Sequence, residues 1–204
     1  QSITKSLVTV AYQSSENSSA ETKEAAQELA KELNVSYFDW SIVAVQENYK
    51  NIIETALQRK LSWETDDITL QNIQARSRSP GIWMMANIKN ALLLATSNRS
   101  EAAVGYATMD GDTSGGLSPI AGVDKSFLNK WLRWFSEKGP QGCGPLVSLK
   151  YVFIKPPTAE LRPSKMQQTD ESDLMPYDVL NAIEKEFIRD RQRPTDIVEV
   201  LKVD

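Results

Sequence analysis

A chain of 204 residues, 41% apolar and 25% charged, is long enough to bury the core of one globular domain. Its 23 Lys and Arg against 27 Asp and Glu give a net charge of −4, which argues against a broad nucleic-acid footprint but leaves room for a local anion site. With no histidine and a single cysteine, Cys143, it lacks Ser-His-Asp and Cys-His nucleophiles, a Cys/His zinc centre and an intrachain disulfide. Any metal is then a hard cation on oxygen ligands, Mg²⁺ foremost. The lone thiol suits a reducing cytoplasm. No apolar run is longer than Ala91–Ala95, far too short to cross a membrane, and no signal peptide is visible.

In chain order, Ser6–Tyr12 is β-branched and apolar and reads as a buried strand. A polar loop follows, and then Ala25, Leu29 and Leu33 recur four apart, the stripe of an amphipathic helix. Residues 35–43 read as a second strand and Gln46–Leu61 as a second helix. A third helical stretch covers 69–89, with Pro80-Gly81 marking a break or kink. The run 90–96, "NALLLAT", is the cleanest buried strand, and it leads into a helix over 97–108. Val123–Lys138 is helical with Phe127, Trp131 and Phe135 on one face, and the tail from Tyr177 is helical too. Strands alternating with helices specify one α/β domain: a parallel sheet with helices on both faces, three layers deep. In such sheets ligands sit beyond the carboxyl ends of the strands, so the loops after Tyr12 and Thr96 should face one site.

Asn98 with Glu101 three residues later is a capping-box pattern that opens a helix directly after a strand. On these residues alone Glu101 either ties off that helix or, with Thr96, presents a carboxylate and a hydroxyl to a nucleotide and its cation. Lys125 likewise reads as a solvated first-turn lysine or a phosphate partner. Arg76 and Arg78 read as surface charges on an exposed helix face, and Thr158 after Pro156-Pro157 as a loop or helix cap. Trp131, Trp134 and Phe135 read as core or dimer surface, and Arg189–Arg193 as a solvated helix end.

The ordered set "NIQARSR" (72–78), "TSNRSE" (96–101), "GYATMDGDTSGGLSPIAGVDKS" (105–126), "KPPTAELRP" (155–163) and "QQTDESDLMPYDVL" (167–180) resembles the ATP-dependent amidating domain of NAD⁺ synthetases. The "SENSSAET" loop resembles that of the glutamine-dependent branch. The resemblance implies an adenine-nucleotide alpha-hydrolase-like fold and a single synthetase domain over 1–204, with a glutaminase domain upstream in the parent protein. It also implies ATP and Mg²⁺ as cofactors, deamido-NAD as substrate, ammonia derived from glutamine, and a homo-oligomer with neither nucleic acid nor membrane as partner. Residue by residue, it implies ATP contacts at Thr96, Lys125 and Thr158, a Mg²⁺ ligand at Glu101 and a deamido-NAD contact at Arg76. No catalytic residue is assigned.

The family grips ATP phosphates with a Ser-Gly-Gly-x-Asp-Ser loop after its first strand. "SGGLSP" at 114–119 lacks the Asp and stands elsewhere in the order, so it is expected not to be that loop, although it can still line the substrate pocket. The first strand and helix of the fold are accordingly expected to be missing, which makes this fragment alone a poor catalyst. Met109 and Gly116 stand where ammonia-dependent members carry a Lys and an Asp, and they receive no role. Two alternatives remain: a binding or assembly module that kept the fold, and a related synthetase amidating another substrate.

Overall fold

The computed structural model describes residues 7–153, 156–166 and 168–202. Two strands, β1 (Thr9–Ser14) and β2 (Ser36–Ser41), pair in parallel from Thr9 opposite Ser36 to Ser14 opposite Ser41. The connection between them is α1 (Ala20–Glu32), a crossover of the kind parallel pairing requires. Ser19 caps α1 by accepting from the Thr22 N–H, and Glu21 adds an acid in the first turn, where the helix dipole favours it. After β2 come α2 (Val43–Leu57) and the long α3 (Asp67–Lys89).

Pro80 neither breaks nor ends α3, contrary to the expected interruption. The turn that leads into Pro80 is held by two tertiary contacts. Arg78 Nε donates to the Gln13 carbonyl of β1 at 3.2 Å, and the Ser79 and Ser114 hydroxyls lie 2.6 Å apart. Tertiary contacts here outweigh a local penalty of about 3 kcal/mol.

The expected strand at 90–96 is a correction. Its backbone pairs as a single parallel bridge, Leu94 with Leu117, through Ala95 N–H to the Leu117 carbonyl and Gly116 N–H to the Leu93 carbonyl, each 2.9 Å. Leu92 and Leu94 are exposed, while Ala95 is buried. A ladder needs a regular partner, and the glycine-rich 114–117 segment supplies one register position only. β1 is also half-buried along its length rather than fully buried, and its expected start at Ser6 lies outside the described residues.

Two short-range caps then build the site's floor. α4 (Arg99–Val104) opens with a full capping box between Asn98 and Glu101 and closes at Gly105, whose φ of 67° is the left-handed geometry glycine tolerates. α5 (Lys125–Glu137) opens with Asp124 accepting from Phe127 N–H at 2.6 Å. The two starts are knitted together by Lys125 N–H to Ser100 Oγ at 3.2 Å and Arg99 N–H to the Val123 carbonyl at 2.9 Å. Asn98 and Ser100 are among the most buried side chains, so the core beneath the site is polar and hydrogen-bonded rather than apolar. On α5 the Trp131 and Phe135 rings pack with centroids 5.4 Å apart, and Trp131 and Trp134 remain partly exposed.

The chain then passes through 3₁₀ turns at Val147–Phe153 and Ser164–Met166 and a one-turn helix, α6 (Asp170–Asp173). The helical tail is α7 (Tyr177–Glu184), a π-helical turn at Lys185–Arg189 and α8 (Pro194–Leu201), interrupted at 190–193. Arg189 and Arg193 pair with Asp190 and Asp196 at the surface, as a solvated run should. No helix among the described residues is long and apolar enough to cross a membrane.

Candidate functional site

The largest cavity, about 730 Å³, opens between α3, the starts of α4 and α5, and the 158–173 segment. Thr96 and Glu101, Lys125 and Thr158, from three separate stretches of the sequence, all line it. The polar loop after β1 approaches the same place from the other side, with Asn17 Nδ2 donating to the Leu161 carbonyl at 2.9 Å. The loop after β1 thus braces the segment that walls the cavity, and it does not itself line the cavity.

Lys125 is the electrostatic centre. Its ammonium lies 3.1 Å from Glu101 Oε1 and 3.9 Å from Asp170 Oδ2, and 5.7 Å from the centroid of the Tyr177 ring. Burial and a 2.7 Å hydrogen bond donated to Asp170 push the Tyr177 hydroxyl well above the usual tyrosine range, so it stays a neutral donor. Glu101 has two jobs visible at once. Oε2 accepts from the Asn98 N–H at 3.1 Å as part of the capping box, while Oε1 faces Lys125. The helix-tie and cavity-facing readings of Glu101 are therefore both satisfied by one carboxylate.

Arg76 and Arg78 part company. Arg76 is exposed, donates from Nε to the Met109 carbonyl at 3.0 Å, and does not line the cavity. Arg78 does line it, and burial pushes its guanidinium below the usual arginine range. Among the described residues no carboxylate pairs with it within salt-bridge distance, and its Nε bond goes to a neutral carbonyl. This half-buried guanidinium lies in the field of Glu160 and Asp112, which oppose the effect of burial on its charge. Two residues along a helix are about 200° apart, so only one of the pair can face inward. The "ARSR" spacing could signal that difference but not its direction.

A second wall is a strap at 158–173. Arg162 donates to both Asp67 oxygens, from Nη2 at 2.7 Å and from Nε at 3.0 and 3.2 Å, and from Nη1 to Asp173 at 2.9 Å. Tyr106 OH and Gln168 Nε2 also donate to Asp173, at 2.9 and 2.8 Å. This network ties the strap to α3 and to the end of α4. Asp170 and Arg162 also line the cavity, and periodicity alone could not single them out.

Of the glycine-rich run, Asp112 lines the cavity, whereas Gly115 and Gly116 pack against the 92–95 backbone. A Cβ on Gly115 would sit 2.5 Å from Ala95 N. The glycines are there for close backbone approach, not for phosphate. Met109 is exposed and serves as Arg76's acceptor.

Mg²⁺ is commonly held by one or two carboxylates, with phosphate oxygens and water completing an octahedron. No group of three or more acidic, His or Cys side chains clusters among the described residues. A cavity-facing Glu101 Oε1 nevertheless meets the one-carboxylate requirement.

The model of the NAD synthase family matches residues 3–204. The chain belongs to this family. It is 37% identical over 179 residues to the glutamine-dependent NAD(+) synthetase of Thermotoga maritima, which covers 88% of this chain but 29% of the relative. A crystal structure of a glutamine-dependent NAD(+) synthetase from Cytophaga hutchinsonii superposes with a TM-score of 0.81 at 46% identity, over 98% of this chain and 30% of that one. The NAD+ synthetase of Acinetobacter baumannii, solved with ADP, shares the fold at a TM-score of 0.60 and 21% identity, over 97% of this chain and 32% of that one. This NAD synthase chain thus spans about three tenths of the length of the relatives it matches.

Proposed function

We propose that this chain is the ATP-dependent amidating part of a glutamine-dependent NAD⁺ synthetase, working in the cytoplasm. In this reading ATP and deamido-NAD share the Lys125 cavity. The nicotinate carboxylate attacks the α-phosphorus of ATP, an acyl-adenylate forms and pyrophosphate leaves. Ammonia derived from glutamine then adds to the acyl carbon, loses a proton, and AMP departs to leave the amide. The observation that carries the reading is the cavity itself, which brings Thr96, Lys125 and Thr158 together with the half-buried Arg78.

The residues divide the work by charge. Lys125 and Arg78 neutralise phosphate oxygens, stabilising the charge that gathers on the leaving pyrophosphate. Thr96 and Thr158 donate hydroxyl protons that fix the phosphate chain. Glu101 would hold Mg²⁺, which when bound screens the phosphates and polarises them toward attack. Arg76 keeps the deamido-NAD contact read for it from sequence, on the exposed rim beside Met109, and Arg78 adds a second cation inside the cavity. Titrating the chain with deamido-NAD and with NAD⁺, in the presence of a non-hydrolysable ATP analogue and Mg²⁺, tests the substrate. Tighter binding of deamido-NAD supports the reading, and indifference between the acid and the amide contradicts it.

A homodimer belongs to the same proposal. Tyr49, Ile52, Ile53 and Leu57 form one exposed apolar face of α2, and Met84 and Ile88 extend it on α3. Spacings of three and four residues place them on one stripe, the pattern of a helix face that packs on another. A second copy of this chain, offering the same stripe, gives a two-fold interface.

A further inference from the structure

Thr158 is the one hydroxyl shared by the large cavity and a neighbouring cavity of about 360 Å³, where it forms part of the common wall with Lys125 and Asp170. Its orientation is not left to rotamer preference. Its Oγ1 accepts from the backbone N–H of Glu160 at 3.2 Å, so the hydroxyl proton is released to donate elsewhere. Glu160 itself sits at φ 49°, a left-handed conformation that costs a non-glycine residue about 1 kcal/mol and persists only where the surroundings impose it.

The surroundings do impose it, and they come from the loop after β1. Glu160 Oε2 accepts from the Ser19 N–H at 3.2 Å and from Thr22 Oγ1 at 3.0 Å. The Glu160 carbonyl accepts from the buried Gln74 amide at 2.8 Å. Asn17 Nδ2 donates to both the Leu161 carbonyl and Gln74 Oε1, at 2.9 and 2.7 Å. A carboxylate at the start of α1 also lies where the helix dipole favours negative charge.

We infer that Glu160 is a positioning residue: anchored to Ser19 and Thr22, it holds the Thr158 hydroxyl as a donor aimed at the anionic ligand of the cavity. This deepens the nucleotide-binding reading above and rests on it. It also gives the "NSSAET" loop a mechanical task, transmitting the position of the α1 N-terminus to a ligand-contacting hydroxyl some 140 residues away in sequence.

Two readouts test it on the intact chain. The first needs no ligand: amide exchange across residues 158–161. Glu160→Ala and Thr22→Val should each speed exchange there by about tenfold, the scale of one or two lost hydrogen bonds, whereas Glu160→Gln, which keeps the acceptor, should stay near the unmodified rate. The second is the Kd for MgATP. Glu160→Ala should weaken binding severalfold in the unmodified chain and have no further effect in a Thr158→Val background, because both changes remove one donor. Additive losses in that double-mutant cycle, or unchanged exchange in both clamp variants, overturn the inference. Failure of the unmodified chain to bind MgATP at all strikes the nucleotide reading, and the exchange data then still decide whether the clamp exists.

Discussion

The Lys125 ammonium lies 3.1 Å from the Glu101 carboxylate that also caps the neighbouring helix. One acid therefore serves stability and ligand binding, and the two contributions separate by substitution. Glu101→Gln keeps an oxygen to accept from Asn98 N–H and should unfold within a few tenths of a kcal/mol of the unmodified chain. Glu101→Ala loses the cap and should cost about 1 kcal/mol. Both should abolish the Mg²⁺-dependence of ATP binding. Denaturant titration beside calorimetry with and without Mg²⁺ checks the pair, and retained Mg²⁺-dependence in Glu101→Gln would remove the metal role.

Arg78 should matter to both stability and binding. Its Nε bond to the Gln13 carbonyl holds α3 against β1, so Arg78→Met should lower stability by about 1 kcal/mol, read as the denaturation midpoint. Affinity for MgATP or deamido-NAD should fall roughly tenfold or more, the worth of a charge-assisted bond of roughly 1.5–3 kcal/mol. Arg76→Ala, at an exposed position, should leave MgATP affinity within about threefold and weaken deamido-NAD. Unchanged deamido-NAD affinity in Arg76→Ala would remove the contact read from sequence.

The strap should loosen in acid. Hydrogen bonds from Arg162 lower the Asp67 pKa beneath its ordinary 3.8. Burial raises that of Asp173, but donors at Gln168, Tyr106 and Arg162 outweigh it and the net shift is also downward. A depressed carboxylate contributes stability above its unfolded pKa and loses it as the pH falls through the folded value. The chain should therefore keep a level stability down to about pH 4 and lose it below. Asp67→Asn should flatten that loss, measured as the denaturation midpoint against pH. The same fall in Asp67→Asn would assign it to other carboxylates.

Gly115 tests the close approach that replaces a strand ladder. Gly115→Ala places a Cβ against the Ala95 backbone nitrogen and should destabilise by roughly 1–3 kcal/mol without altering ATP affinity in the folded fraction. Lost ATP affinity at full stability would make the run a phosphate loop after all.

The exposed α2 stripe should govern assembly. The chain should elute as a dimer with the mass of two copies by light scattering, and Ile52→Glu should render it monomeric. A monomer at all concentrations contradicts the interface.

How much of this was legible beforehand varied with the physics. β1, α1, β2 and α5 follow from apolar periodicity, which fixes each element's kind and core face. The capping box at Asn98 and Glu101 was readable letter by letter. The 90–96 segment was not, since composition records how apolar a strand is but not whether a neighbour pairs with it. Pro80 misled for a related reason: its local penalty was visible, while the bonds from Arg78 and Ser79 that offset it are tertiary. The site was legible through the order of its motifs, which brought four of the five named residues into one cavity. Arg76 lies outside that cavity, because which of two arginines two residues apart faces inward cannot be read without the fold. Glu160 was hidden because its function lies in a backbone angle and in hydrogen bonds to a loop far off in sequence.

The most direct measurement is a calorimetric titration of MgATP into the chain and into Lys125→Met. The account predicts saturable binding at one site per chain, weakened roughly tenfold to a hundredfold by the substitution, with the fold intact by circular dichroism. Saturable binding of equal strength in Lys125→Met would place the nucleotide elsewhere, and no saturable binding in the unmodified chain at millimolar MgATP would contradict the central claim outright.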